Sequence, residues 1–273
     1  MARILSPSPK LEQLGKGQLL FDRFDDNGVS TGFFHLGNVE SFTISTADEK
    51  LESQNHMTKA AGTRNSVTVK RTVTGKISGL EFSADNQALA LMGEIAEYTQ
   101  TGGAQTAEVL TPVDGVVLGR IYQTRYREIS AVSVKKGATV LALVNAAGVG
   151  DYKILDAAAG FIQISQTPST AGLVAGDDLT VDYSAAALAS GSGRTTIRGA
   201  TKSKIEGYLK FLPDNQAGVN KEADLWRASF TPDGEMGFIS SDFNKWGATC
   251  TVQEDATNHP DEPYYRILER PAA

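Results

Sequence analysis

Acidic side chains that could act together stand at Asp25-Asp26, Asp177-Asp178, Asp255 and Asp261-Glu262. Paired carboxylates do glycosidase chemistry when a cleft holds them at a fixed separation and raises one pKa. Adjacent acids among Gly and Asn are instead turn formers and solvated charge. Asp25-Asp26-Asn27-Gly28 resembles the start of a calcium loop but lacks the later bidentate Glu of an EF-hand. His35, His56 and His259 are dispersed, one beside a run of strand-like residues and two in polar stretches, and no local spacing builds a metal site. HExxH, GxSxG, GxxxxGK[ST] and a GxGxxG following a strand are all absent. Trp226 and Trp246, with Tyr208, Phe211, Phe230 and Phe238, offer material for a sugar-stacking platform. They alternate with polar residues, as a shared β-core does. The reading is non-enzymatic, with no metal and no cofactor.

Composition points the same way. The 273 residues are enough for one large domain or two small ones, with a core that needs no staples. A net charge of -6 argues against gripping nucleic acid by phosphate neutralisation. A single Cys, Cys250, excludes an internal disulfide and any CxxC site, and in Gly247–Val252 it reads as a small buried hydrophobe. No stretch approaches the roughly 20 apolar residues of a membrane helix. The prolines at 7 and 9 interrupt any signal-peptide core, so synthesis and folding are expected in a reducing cytoplasm.

The elements that must position these residues are mostly strands. Short β-rich runs around Leu19–Phe24 and Phe33–Ile44 flank the hairpin signal Asp25-Asp26-Asn27-Gly28. From Val67 to about Phe82 the chain alternates, with Val67, Val69, Val73 and Ile77 on one parity and Thr and Lys on the other. Between them, Ala47–Asn65 reads as a long polar, aperiodic loop, either mobile or an arm reaching for a partner. Its candidate contact residues are Asp48, Glu49, Lys50, Glu52, Gln54, His56, Lys59 and Arg64. One helix is expected from Ser83, an N-cap, with an apolar stripe through Leu89, Met92 and Ile95 that covers a sheet. The expected β-core comprises Val67, Val69, Ile77, Trp226, Phe230 and Trp246.

Residues 106–190 contain short strand-like runs every 10–14 residues, bracketed by Gly102-Gly103 and by Ala185–Gly193, and read as an inserted Ig-like β-sandwich. It lacks the Cys…Trp…Cys of antibody-type domains, so only the architecture is expected. Residues 1–105 and 191–273 then form one discontinuous β-domain, with further strands at Lys204–Leu212, Ala223–Phe230, Gly234–Ile239 and Lys245–Val252 and a turn at Thr231-Pro232-Asp233-Gly234. The expected class is all-β with one flanking helix.

The order of these features resembles the major tail tube proteins of long-tailed, siphovirus-type bacteriophages. The resemblance rests on Gly17-Gln-Leu-Leu-Phe-Asp-Arg-Phe-Asp, Gly32-Phe-Phe-His-Leu-Gly-Asn-Val-Glu-Ser-Phe-Thr-Ile, the polar arm, the alternating strand and the helix Ser83–Glu94. Late in the chain, Gly207-Tyr-Leu-Lys-Phe-Leu-Pro-Asp-Asn and Ala223-Asp-Leu-Trp-Arg-Ala-Ser-Phe-Thr-Pro-Asp-Gly add to it, with the closing strands to Tyr264. It covers most of both outer blocks by pattern, with no invariant motif, and the insert departs from it. The resemblance implies a homo-oligomer, rings of six copies stacked into a virion tail. The arm would bridge neighbours, and the insert would project outward. Tape-measure, tail-terminator and tail-tip proteins would be partners, and phage DNA would pass through the lumen without specific binding or membrane insertion by this chain. An acidic lumen would let DNA slide. The alternative from another class is a monomeric two-domain surface or carbohydrate-binding module. A contractile-tail or secretion tube is a third reading, disfavoured because a sheath would collide with the insert.

Overall fold

The computed structural model describes residues 12–57, 59, 62–231 and 236–270. Within them the protein is all-β, with antiparallel strand ladders and one short helix. The chain divides into two compact units, Met1–Ala96 together with Ile197–Ala273, and Glu97–Thr196.

The first unit begins with β1 (Gly17–Phe24), β2 (Ser30–His35), β3 (Val39–Gln54), β4 (Thr63–Gly79) and the helix α1 (Ala84–Ala90). Then β5 (Glu94–Glu97) leads into the second unit, which holds β6 (Gly103–Val109), β7 (Ile121–Gln123), β8 (Ile129–Lys136), β9 (Thr139–Val140), β10 (Tyr152–Asp156), β11 (Phe161–Ile164) and β12 (Thr180–Ala185). After β13 (Thr195–Arg198), which pairs with β5, the first unit is completed by β14 (Ile205–Pro213), β15 (Lys221–Thr231), β16 (Trp246–Val252) and β17 (Tyr265–Glu269).

In the first unit the strand order is β2-β1-β14-β15-β16-β4-β3. The edge of β15 that faces away from β14 is shared: Lys221–Leu225 pair with β17 and Ala228–Thr231 with β16. The sheet folds back on itself, because Phe42 of β3 meets Phe211 of β14 at 6.1 Å although three strands lie between them in the order. Phe21 packs edge-on against Phe230 at 5.1 Å, and Ile77, Phe230 and Trp246 are buried in this core. The Asp25–Gly28 turn forms as its residues require. The Asp25 carboxylate accepts the Asn27 and Val29 amides at 2.8 Å, and Gly28 takes φ 78°.

Several expectations about this unit need correction. The helix stops at Ala90, so Ile95 lies on β5 and is exposed, while Leu89 and Met92 are buried. The stop is a Schellman-type cap: Met92 donates to Leu89 O at 3.3 Å and Gly93 to Ala88 O at 2.7 Å. Met92 occupies the left-handed position at φ 49° where Gly is usual, and its buried side chain explains the exception. Trp226 is buried, yet outside the apolar core. β15 steps three residues from Leu225 to Ala228 while β14 steps two, and this bulge puts Trp226 on the opposite, polar face. Met236 makes an isolated bridge to Trp246, with no strand over Met236–Ile239. Residues 232–235 of the expected Pro-Asp-Gly turn lie outside the described residues.

In the second unit a four-stranded sheet, β6-β12-β8-β9, and a three-stranded sheet, β10-β11-β7, enclose one core. Val134 and Val181 enter it from one sheet, Ile162 and Ile164 from the other. Lettered A–G in chain order, the sheets run A-G-C-D and E-F-B, whereas the Ig constant arrangement is ABED with CFG. Gly102-Gly103 does not act as a pure linker, since Gly103 already pairs with Ala185. The Thr139–Val144 run keeps strand geometry only over Thr139–Val140. Asp151, fully buried, ties the loops together by accepting the Ala142 amide at 2.7 Å and the Thr170 amide and hydroxyl at 2.7 and 2.6 Å.

Candidate assembly surface

β4 leans on β16 only from Val73 to Gly79, whereas β3 and β4 remain paired out to Gln54 and Thr63. Ala47–Gln54 and Thr63–Thr72 therefore pair only with each other, as a two-stranded ribbon that leaves the sheet. At about 3.4 Å per residue the eight β3 residues of the ribbon span about 27 Å. The expected aperiodic loop is thus a β-hairpin. Every residue of Ser45–Gln54 and Gly62–Arg71 is exposed, so both faces are wet, and no apolar alternation marks 47–65 in the sequence.

Val67 and Val69 do not belong to the core, against expectation; they are exposed at 55% and 57%. The ribbon that carries them leaves the sheet beyond Val73, and the register shifts as well. Glu49 pairs with Lys70 and Lys50 with Thr68, leaving Val69 as an extra, bulged residue. The bulge reverses the facing of β4 beyond it, so Val67 does not share the face of Val73 and Ile77. Val67 instead stands opposite Leu51, itself exposed at 69%.

The expected arm residues fall on this ribbon and its turn. Asp48 takes a two-pronged bond from Arg71, at 2.8 and 3.0 Å, which holds its carboxyl below the usual range. Glu52 accepts the Thr63 hydroxyl at 3.2 Å, and Gln54 pairs with Thr63. His56 and Lys59 are exposed at the turn, where Arg64 donates to the Met57 sulfur at 3.2 Å. The ribbon is preshaped by these bonds but lacks any core of its own. A lone hairpin is marginal in water unless something packs on it. Among the described residues the far edge of β3 is also unpaired, as is that of β2 at the other end of the sheet.

A second apolar surface of the same unit includes Phe238, which the sequence reading assigned to a shared β-core. Phe238, Ile239 and Phe243 are 80%, 97% and 84% exposed, and Phe238 and Phe243 line a cavity of about 590 Å³ with Leu80 and Phe82. The only advance signal was the apolar pair Phe238-Ile239 itself, which reads as strand.

The polar face of β14, β15 and β17 carries a network of charged groups. Asp224, fully buried, accepts Tyr208 at 2.6 Å, Lys210 at 2.9 Å and Arg266 at 2.9 Å. Burial pushes its carboxyl up, but these three donors outweigh that and leave it below the usual range. Glu222 is lowered by Lys210 and Arg270. His259, expected to be solvated, stacks on Trp226 at 3.7 Å, and the Trp226 indole donates to Glu262 O at 2.8 Å. Each carboxylate here is already engaged by cations, which suits a brace rather than acid–base work. Among the described residues no group of three or more His, Cys, Asp and Glu could hold a metal ion, and no helix is long and apolar enough to cross a membrane.

No curated protein matches the chain. A family model described as Protein of unknown function UCP028589 matches residues 13–267, and so spans both units and the whole ribbon. The chain belongs to that family.

Proposed function

We propose that the protein is a structural virion component, the subunit of a phage tail tube that self-assembles into stacked, six-membered rings. The observation that carries this reading is the free-standing ribbon, with Leu51 and Val67 paired on one exposed face and β3 open along its edge. Such a surface gains from a second copy what the monomer cannot provide: apolar burial at roughly 25 cal/mol per Å² and partners for an open strand edge. A symmetric ring suits it because each subunit both offers and receives the same arm. Phage DNA passes through the bore unbound by sequence, while tape-measure, terminator and tip proteins meet the tube at its lumen and ends. The role is conduit and scaffold, located in the virion tail, and requires no catalysis.

Negative-stain electron microscopy of the full chain over a concentration series tests it. Rings or hollow tubes of uniform bore are expected. Compact monomers whose melting temperature rises with added glycan would replace this reading with a carbohydrate-binding module.

A further inference from the structure

A cavity of about 430 Å³ in the second unit is lined by Tyr98, Arg127, Arg194, Thr195 and Thr196. The Arg127 backbone is held there by one side chain. The Gln100 side-chain amide accepts the Arg127 N–H at 3.0 Å and donates to the Arg127 carbonyl at 2.7 Å, clamping both backbone groups at once. The next residue, Glu128, sits at φ 51°, a backbone conformation uncommon outside glycine and enriched where side chains must be aimed. The Arg127 guanidinium lies 5.7 Å from the centre of the Tyr98 ring. Arg194 is neutralised by Glu128, whereas among the described residues no carboxylate pairs with Arg127.

We propose that this cavity is a binding site for an oxyanion, the phosphate or carboxylate group of a small ligand. Arg127 supplies the charge and a planar fork of donors matched to such groups. Thr195 and Thr196, consecutive on β13, also line the cavity, and strand alternation turns only one of the two hydroxyls toward it. The clamp fixes the Arg127 backbone, and the exposed guanidinium beside the Tyr98 ring is left able to meet a ligand. The site uses only residues of the second unit and is independent of the ribbon.

Calorimetric titration of the full chain with inorganic phosphate, glucose 6-phosphate, glucuronate and glucose, at matched ionic strength, tests the site. One equivalent of anion per chain is expected to bind with Kd of about 1 mM, and glucose not at all. The phosphate and glucuronate arms decide which oxyanion is preferred. Arg127→Gln should weaken binding about tenfold with an unchanged melting temperature, and Thr196→Val should weaken it without abolishing it. Absence of saturable binding by every anion, or equal binding by wild type and Arg127→Gln, overturns the proposal.

Discussion

Leu51 and Val67 face each other across β3 and β4, both exposed, on a stretch where neither strand has any other partner. A monomer gains nothing from placing two large aliphatic side chains there. A second copy laid against that face would bury both. Leu51→Ser with Val67→Ser should therefore reduce self-association while altering unfolding free energy by no more than about 0.5 kcal/mol per site, the usual range for surface substitutions. Sedimentation velocity and urea titration on the same samples check the two halves of that statement.

Gly79 lies directly opposite Trp246, and a methyl group there would stand 2.6 Å from the indole ring. Trp246 is fully buried and cannot swing aside. Gly79→Ala should destabilise the fold by about 1–3 kcal/mol, read from the midpoint of chemical denaturation.

Asp224 anchors three donors, and removing it leaves Tyr208 without its acceptor, Lys210 with Glu222 alone and Arg266 with Glu262 alone. Loss of one partner from a buried pair costs about 3–5 kcal/mol; with Arg266 partly exposed, about 2–3 kcal/mol is expected for Asp224→Ala in urea unfolding.

The same network sets an acid limit. Asp224 and Glu222 have folded-state pKa values below their unfolded ones, so their stabilisation is complete above the unfolded values of about 4 and lost as pH falls through the folded values. Melting temperature should drop below about pH 4, and drop less steeply in Asp224→Ala, as thermal scans across pH would register.

Cys250 is buried, and burial pushes its thiol up to about 12. A thiol reagent at pH 8 should leave the folded chain unlabelled and modify one cysteine per chain once denaturant is added. Rapid labelling of the native protein would show that the Gly75–Cys250 layer opens easily.

What could be read in advance follows the physics of strand pairing. Alternation located β1, β4, β14, β15 and β16, because each buries at least part of one face, and Ile77, Phe230 and Trp246 followed from it. Alternation assigns faces only while register is unbroken. The extra residues at Val69 and within Leu225–Ala228 leave no mark in composition, yet they move Val67 and Trp226 off the expected face. The stretch 47–65 of the ribbon was invisible as β-structure because, wet on both sides, it has no reason to alternate. The helix was read too long because its end is set by Met92 in a left-handed turn, and a Met continues a helical apolar stripe on paper. The Arg127 cavity depends on Gln100 meeting Arg127 across the fold, a pairing that no local spacing announces.

The most direct test removes the ribbon. Replacing Asp48–Arg71 by Asn-Gly joins Ala47 to Thr72, which already face each other, by a favoured hairpin turn and leaves the core strands intact. Electron microscopy and sedimentation of this variant beside the wild type should show rings or tubes from the full chain and folded monomers from the shortened one. Identical assemblies from both, or monomers from the full chain at every concentration, would contradict assembly through the ribbon.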